Sequence, residues 1–339
     1  MLARTLLCLI VALAGTSARA QTASGDFYER KTITLVTSTG VGGLYDLIAR
    51  LVARHMPRHI TGNPAVIVQN MPGGGNVLAT NYMFNIAPKD GTAIATIHNA
   101  MPLHQVLDGS GVRFDAERFN WLGSTGPENE VIVVWHTAGI RTLDEVMQRE
   151  VVLGGTGAGS GIVIIPTVMN NLLGTRFKIV IGYRSSEDVN LALQRGEVQA
   201  RVFSWGSITA QRPDWIKENK VVLLAQLGSH RDKDLPHVPL LTELAKSEEQ
   251  RAIFKLLSSS SALGHAFMAP PGVPAERLAV LRKAFDATIR DKGFLAQAER
   301  LLIEVEPMSA EEVGRIVRET INAPPDVVAK AKAAMAPGR

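Results

Sequence analysis

The regular alternation of strand-like and helix-like segments most constrains what this chain can fold into. Residues 32–37 are rich in β-branched side chains, and the next segment repeats apolar residues at helical spacing through Leu44, Leu47, Ile48, Leu51 and Val52. The alternation continues with strands predicted at 65–68 and 92–97 and a helix predicted at 76–86. This βαβαβ pattern favours a parallel sheet that helices cover on both faces.

A second series of the same kind follows. Its strands are predicted at 131–135, 151–153, 178–181, 198–203 and 221–227, and its helices at 160–173 and 186–194. The C-terminal part is predicted to be helical, and capping boxes begin helices at Thr142 and Ser309. Because no low-complexity linker divides the 339 residues, we predict an α/β protein with two lobes that share a cleft.

The first twenty residues are typical of a secretory signal peptide. Arg4 precedes an apolar run at 6–14, and Ala18-Arg19-Ala20 supplies small residues for cleavage after Ala20. The run has about half the length that a membrane-spanning helix needs, although an N-terminal anchor is the alternative. We therefore expect an exported, periplasmic protein, in a compartment that disfavours chemistry dependent on ATP or NAD.

Charge and cysteine content exclude several classes of partner. Lys and Arg number 36 against 32 Asp and Glu, and no basic run accompanies the excess of +4, so we expect no nucleic-acid partner. The single cysteine, Cys8, leaves with the signal peptide and excludes an intrachain disulfide or a multi-cysteine metal site. We expect no cofactor, no metal and a monomer.

Glycine-rich turns between a strand and a helix are the main candidate binding elements. The first covers residues 37–43, another covers 72–75, and a third covers 154–161. Glycine lets a ligand approach the backbone, and the first N–H groups of a helix have no internal acceptors and attract anions. The predicted contacts are Ser38, Thr39, Gly42 and Gly43 in the first turn, and Thr156, Gly157, Gly159 and Ser160 in the third. The alternative is that these glycines only make tight turns.

Five further residues are candidates for the same site. Asn99 and Ser204 directly follow predicted strands, where ligands of α/β proteins bind, although both could be ordinary turn residues. Arg184 and Arg201 could clamp a carboxylate or could be ordinary surface arginines. Asp46 could orient bound water or a ligand donor, or could only be a favourable acid in the first turn of its helix.

Motifs for catalysis are absent from the sequence, so we do not expect an enzyme. The third glycine cluster has Ser160 where a dinucleotide-binding G-x-G-x-x-G needs glycine, and the chain contains no G-K-[ST], G-x-S-x-G or H-E-x-x-H motif. His55 and His59 have metal-ligand spacing on a helix, but Pro57 between them favours a solvated helix end.

Several short motifs, in order, resemble the Bug/TctC-like solute receptors of tripartite tricarboxylate transporters. Residues 42–50 (GGLYDLIAR) are similar to the G-G-x-x-D-x-x-A-R segment of that family, and residues 68–75 (VQNMPGGG) to its V-E-N-R-P-G-A-G-G stretch. Later matches fall at 87–92 (APKDGT), 157–160 (GAGS), 182–183 followed by Gly196, 235–240 (LPHVPL) and 269–274 (APPGVP). The matches cover nearly the whole chain after the signal peptide.

The resemblance implies a type II periplasmic-binding-protein fold with a strand hinge and an interlobe cleft. We expect lobe I to comprise residues 21–124 and 246–339, and lobe II residues 125–245. The resemblance further implies a small carboxylate ligand between the two glycine-rich turns, often with bridging waters. It also implies membrane transporter subunits as partners. The protein would capture the carboxylate and deliver it to the transporter; the alternative is a ligand-sensing subunit of a signalling receptor.

Departures from the family pattern affect mainly the expected ligand. Where the family often has a Pro-aromatic pair, a His, two Asp and a Trp, this sequence has Ser38-Thr39, Val163, Ala192, Gln199 and Gly264. The missing acids at 192 and 199 argue against an amino-acid ligand, whose ammonium group needs a carboxylate partner. Arg201 near Gln199 instead favours a di- or polycarboxylate.

Overall fold

The strands form two separate sheets, as the alternation predicts. The computed structural model describes residues 27–156 and 160–336, so the predicted signal peptide, Gly157 and Gly159 lie outside the described residues. The strands are β1 (Thr32–Thr37), β2 (Ala65–Asn70), β3 (Ala93–Thr96), β4 (Asn120–Ser124), β5 (Glu130–Trp135), β6 (Val151–Gly154), β7 (Phe177–Val180), β8 (Ala200–Ser204), β9 (Val221–Leu227), β10 (Ala266–Ala269) and β11 (Met308–Ser309).

Helices pack on both sheets. They are α1 (Leu44–His55), α2 (Val77–Asn85), α3 (Met101–Leu107), α4 (Leu143–Gln148), α5 (Gly161–Leu173), α6 (Ser186–Gln194), α7 (Trp205–Gln211), α8 (Pro213–Lys217), α9 (Glu248–Leu263), α10 (Ala275–Ile289), α11 (Lys292–Arg300), α12 (Ala310–Ile321) and α13 (Pro325–Met335). In the part of the chain that the structure describes, no helix has both the length and the hydropathy to span a bilayer.

The two sheets define lobe I and lobe II. Lobe I is built on six strands in the order β11-β4-β10-β3-β1-β2, and lobe II on five strands in the order β7-β6-β8-β5-β9. In lobe I, β1 pairs in parallel with both β2 and β3, and β10 runs antiparallel between β3 and β4. In lobe II, β6 is parallel to β7 and β8, and β5 is antiparallel to β8 and β9. The prediction of a mixed α/β fold with two sheets is therefore confirmed.

Two chain segments cross between the sheets side by side. One joins β4 to β5, and the other joins α9 to β10. They hydrogen-bond to each other, because the Thr125 N–H donates to the His265 carbonyl at 3.3 Å and the Glu128 N–H donates to the Ser261 carbonyl at 2.9 Å. Gly264 has φ of +51° and lies so close that an added Cβ would overlap the Gly126 carbonyl. These paired crossings form the connection between the lobes.

Three helices that lie outside the predicted lobe II residues 125–245 nevertheless share a core with the lobe II sheet. Buried residues of α3, α9 and α13, such as Leu103, Phe254 and Ala331, pack in one cluster with the β5 and β8 residues of lobe II. By contrast, Val313 and Val317 of α12 pack against lobe I. The lobe boundaries at 124/125 and 245/246 stay predictions.

The local predictions are largely confirmed. β1 and β9 have the predicted bounds, and both predicted capping boxes form, at Thr142 and at Ser309. The prediction that the C-terminal part is helical is wrong at β10, whose four residues are all buried between β3 and β4. A short apolar run that is buried on both faces shows no period by which a strand could be distinguished from a helix.

The helix end near Pro57 is predicted correctly, but its solvation is not. α1 ends at His55, and Pro57 lies in a following 3₁₀ turn. His55 is nevertheless buried, with Nε2 2.9 Å from Gln297 Oε1 and Nδ1 3.5 Å from the Asp291 carboxylate. The reason is that α11 packs over the end of α1, a long-range contact that local sequence does not contain.

We predict that Gly264→Ala strongly destabilises the protein. The alanine Cβ would overlap the backbone of the opposite crossing and would also impose a strained positive φ, so we expect a loss of about 3 kcal/mol or more in the free energy of unfolding. Chemical denaturation measures this value. Gly161→Ala is the control, because nothing lies within 4 Å of its added Cβ and its φ is helical. Equal stability of the two variants would contradict the close crossing.

Candidate ligand-binding cleft

The carboxyl ends of the parallel strands in both lobes meet where the lobes join. In lobe I, β1 and β3 end together, with Thr37 paired to Thr96. In lobe II, the last residue of β8, Ser204, is paired with Glu130, the residue with which β5 begins directly after the crossing. A Cβ added to Gly206 would lie 3.2 Å from Leu44 Cδ2, so the starts of α7 and α1 approach each other across the junction. Ligands of α/β proteins bind at such strand ends.

A buried carboxylate holds the first glycine-rich turn in place. Asp46 Oδ2 accepts hydrogen bonds from the Gly42 N–H at 2.9 Å and from Arg50 Nε at 3.0 Å. Asn70 Nδ2 donates both to Asp46 Oδ1 at 2.9 Å and to the Thr39 carbonyl at 3.0 Å. These bonds tie the turn to α1 and to the end of β2. The contacts of Asp46 are with the protein, which supports a structural role.

The same contacts set the charge of Asp46. Its burial alone would raise the carboxyl pKa, but the hydrogen bonds from Arg50, from the Gly42 N–H and from Asn70 together lower it. Asp46 is therefore an anion at neutral pH, and Arg50 neutralises it as an ion pair at 3.0 Å. The Asp46–Arg50 pair therefore adds no net negative charge to the cleft.

The glycines of the first turn present backbone to the cleft. Gly42 has φ of +88°, a conformation that favours glycine, and Gly43 is the residue before the first turn of α1. A Cβ added to Gly43 would have the Gly40 carbonyl oxygen at 3.9 Å as its nearest neighbour, so a side chain there would extend into open space. The first N–H groups of α1 have no acceptors within the helix and lie at the positive end of its dipole.

Ser38 and Asn99 connect the two strand ends of lobe I. The Ser38 hydroxyl accepts from the His98 N–H at 3.0 Å, and the Asn99 N–H donates to the Tyr45 hydroxyl at 3.0 Å. Both Ser38 and Asn99 are buried. The structure therefore brings the predicted residues of the β1–α1 and β3–α3 turns together, in a network that fixes their shape.

The third glycine-rich cluster begins α5 in lobe II. The Thr156 hydroxyl donates to Ser160 Oγ at 3.3 Å, and the Thr156 carbonyl accepts from the Gly182 N–H at 3.1 Å. Ser160 directly precedes the first residue of α5. The structure thus places Thr156 and Ser160 at the strand-end edge of lobe II, and ligand contacts by Gly157 and Gly159 stay predictions.

The Arg201 side chain is enclosed by other groups of the protein. Its guanidinium is fully buried and donates to the Val202 carbonyl, to the Ser186 carbonyl and hydroxyl, and to Asn190 Oδ1. It also lies over the Phe203 ring, with Cζ 3.9 Å from the centroid. Because protein acceptors surround it, the geometry does not support Arg201 as a carboxylate clamp.

Arg184 and Ser204 differ in what they can offer a ligand. The Arg184 side chain is 91% exposed and has one weak ion pair with Asp188 at 3.4 Å, so its guanidinium is available. The Ser204 hydroxyl donates to Glu128 and accepts from the Ser207 N–H at 3.1 Å, where it caps α7. Ser204 therefore contributes to the cleft floor mainly as a helix cap.

A buried polar cluster under the cleft is the feature that the sequence did not predict. Glu128 Oε2 lies 2.8 Å from His265 Nε2, and the Tyr45 ring packs against both His265 and His98. Burial raises the pKa of Glu128, but the charge of His265 and the hydrogen bonds from His265 and from the Ser204 hydroxyl lower it more. Burial lowers the pKa of His98 to about 4, so this imidazole is neutral at physiological pH. The residues of this cluster, Tyr45, His98, Glu128 and His265, come from four separated segments, so no local motif could have revealed the cluster.

Three surface carboxylates also approach one another. Asp232, Asp234 and Glu304 have oxygen atoms within 4.8 Å of each other, and Lys233 Nζ lies 2.5 Å from Glu304. This lysine supplies a counter-charge. The group follows β9 and α11 and shares no residue with the predicted site.

The sequence of this chain is similar to those of known proteins. The sequence model of the family described as "Tripartite tricarboxylate transporter family receptor" matches residues 48–332. A Cupriavidus necator protein named "UPF0065 protein in gbd 5'region" is 25% identical over 339 residues, covering 97% of this chain and 96% of that protein.

Two solved structures share the fold. The periplasmic binding protein BugD has a TM-score of 0.70 at 20% identity, covering 91% of this chain and 98% of that chain. MatC from Rhodopseudomonas palustris, solved with bound malate, has a TM-score of 0.68 at 18% identity, covering 90% of this chain and 99% of that chain. These likenesses confirm the periplasmic-binding-protein fold.

We predict that Asp46→Asn destabilises the protein in a pH-dependent manner. The pKa of the Asp46 carboxyl is lower in the folded than in the unfolded protein, so the carboxylate stabilises the fold at pH values above the unfolded-state pKa. This stabilisation is lost as the pH falls through the folded-state pKa. We expect a loss of about 2–4 kcal/mol near pH 7, from several hydrogen bonds to a charged group, and a smaller difference near pH 3.

Urea denaturation between pH 3 and pH 7 measures this difference. Asp144→Asn is the matched control, because Asp144 is also an acid in the first turn of a helix but is exposed. We expect the control to change stability by less than about 0.5 kcal/mol. A constant difference between wild type and Asp46→Asn at all pH values would contradict the role given to this carboxylate.

Proposed function

Because this chain belongs to the tripartite tricarboxylate transporter receptor family, we propose that it is a solute-binding protein that captures a small organic carboxylate between its lobes. The observation that carries the proposal is the first glycine-rich turn, which presents backbone at the start of α1 to the cleft. A carboxylate is the ligand that such a helix start favours. The related fold of MatC, which was solved with malate, supports the same class of ligand.

Hydrogen bonds from backbone donors are strong enough to bind a carboxylate with micromolar affinity, even without a dedicated cationic side chain. Hydrogen bonds to a charged group contribute about 1.5–3 kcal/mol each, and micromolar binding needs about 8 kcal/mol. Four or five donors from the starts of α1 and α5 therefore suffice, on these magnitudes. Arg184 at the rim of lobe II adds a charge for a second carboxylate, which favours di- over monocarboxylates.

The delivery step follows from the family. We propose that the protein works in the periplasm as a monomer and delivers its ligand to the membrane subunits of a transporter of the tripartite tricarboxylate type. Closure of the lobes on the ligand would exclude water and strengthen each polar contact. The ligand leaves chemically unchanged, so incubation of an organic acid with the purified protein should return the same compound.

We predict that Gly43→Leu abolishes carboxylate binding and leaves the fold intact. The leucine Cβ would have only the Gly40 carbonyl oxygen within 4 Å, at 3.9 Å, and the side chain would block the approach of a ligand to the backbone. Thermal-shift measurements over a panel of organic acids identify a ligand, and isothermal titration then compares the variants.

Ala275→Leu is the matched control for this experiment. Ala275 is exposed at the start of α10, which follows β10 at the sheet edge opposite the cleft. We expect wild-type affinity from this control. Carboxylate binding that survives in Gly43→Leu would remove the first turn from the site, and a panel in which no carboxylate raises the melting temperature would refute the proposed function.

We predict that Arg184→Gln weakens binding of a dicarboxylate by about tenfold, the effect of one charge-assisted hydrogen bond. The same substitution should not change the affinity for a monocarboxylate that binds at the first turn. Isothermal titration with succinate and butyrate, or with adipate and hexanoate, tests the difference. Equal losses for both members of a pair would show that Arg184 does not contact the second carboxylate.

A further inference from the structure

One acidic side chain at the cleft has a position that the predicted site does not use. Glu130 is the first residue of β5 and pairs with Ser204 in β8 and Leu227 in β9. Side chains alternate along a strand, so Glu130 lies on the same face of the sheet as Ile132 and Val134. It is therefore at the cleft end of that face.

Helices from both lobes cover this face. Leu103 of α3 and Ile165 of α5 pack in the same core as Ile132 and Val134. α3 follows the carboxyl end of β3, and α5 follows the carboxyl end of β6, so both helices begin at the cleft. Glu130 therefore lies at the cleft end of the sheet face whose core these two helices cover.

The carboxylate of Glu130 has unused acceptor capacity. Within residues 27–156 and 160–336, no donor hydrogen-bonds to it and no cation forms an ion pair with it, and the residue is partly exposed. Its neighbour Glu128 instead has both His265 and Ser204 as partners. An unpaired, partly exposed carboxylate at the cleft end of a strand keeps its acceptor positions available to a ligand.

The charges around Glu130 favour a donor from outside the protein. Burial and the charge of Glu128 raise the pKa of Glu130 to about 7, although the charge of Arg201 acts to lower it. The donors of Arg201 are already used within lobe II. A hydrogen-bond donor placed against Glu130 would favour its ionised form and remove the cost of leaving it unpaired.

We propose that Glu130 determines specificity by accepting a hydrogen bond from a hydroxyl or ammonium group of the carboxylate ligand. This inference rests on the proposed function. Positions 192 and 199 supply no such acceptor, since Ala192 is buried in the core and Gln199 Oε1 accepts from the Val152 N–H at 3.0 Å. The ligand class is then a hydroxy- or amino-substituted carboxylate.

Matched ligands that differ only in the donor test this proposal. Isothermal titration of the full mature chain would compare succinate, malate and aspartate, then glutarate, 2-hydroxyglutarate and glutamate, then propionate, lactate and alanine. We expect at least one substituted member to bind about tenfold or more tightly than its unsubstituted counterpart, the effect of one hydrogen bond to a charged group. Thermal melts would verify that each variant is folded.

Glu130→Gln separates the two kinds of donor. The amide still accepts from a hydroxyl but has no charge, so the preference for an ammonium ligand should fall by about tenfold and that for a hydroxyl ligand by less. Glu130→Ala should remove both preferences while the unsubstituted carboxylate keeps its affinity. Glu299→Gln, an exposed glutamate in α11, is the control and should change nothing.

The outcomes distinguish this inference from the proposed function. One outcome is that carboxylates bind with equal affinity for the unsubstituted and substituted members of every series, and another is that Glu130→Gln weakens all members of a series equally. Either outcome would show that Glu130 does not accept a hydrogen bond from a ligand donor, and the carboxylate-binding function would stand. If no carboxylate binds to the wild-type protein, both proposals fail. A substituent preference that Glu130→Ala leaves unchanged would also overturn the assignment to Glu130.

Discussion

The paired crossing of two chain segments between the sheets is the constraint on which the rest of the structure depends. Gly264 lies against the Gly126 backbone with no room for a Cβ, so the two segments run too close together for any residue but glycine at this position. One segment runs from the end of β4 to the start of β5, and the other runs from the end of α9 to the start of β10. The carboxyl ends of the parallel strands in both lobes are thereby brought to one place, which creates the cleft.

Charge in and under the cleft is used in two different ways. Asp46 is bonded to the turn that it stabilises, and Arg201 is bonded to α6, so neither contributes a free charge to a ligand. His98 is neutral because burial lowers its pKa to about 4. The groups that we propose for recognition are the backbone at two helix starts, the exposed Arg184, and Glu130, which has no partner among the described residues. A site of this kind selects its ligand by the placement of a few polar groups around backbone donors.

Much of the fold could be predicted because its signals are local. β1 has two buried faces and β-branched residues, α4 and α12 begin with capping boxes, and the break at Pro324 ends α12. β10 could not be predicted in the same way, since four apolar residues carry no period. The site was predictable only in part. Sequence placed Ser38, Gly42, Gly43, Thr156 and Ser160 at the strand ends, but it could not tell whether Asp46 and Arg201 would contact a ligand or the protein.

The sequence by itself determined the alternation of strands and helices, the glycine-rich turns and the family to which the chain belongs, because backbone preference and hydrophobic period are properties of neighbouring residues. The tertiary structure decided which polar groups are satisfied within the protein and which are left for a ligand. Asp46 meets Asn70, and His265 meets Glu128, only after distant segments have packed together. Glu130, at the start of β5, meets no donor among the described residues, and this too depends on how distant segments pack.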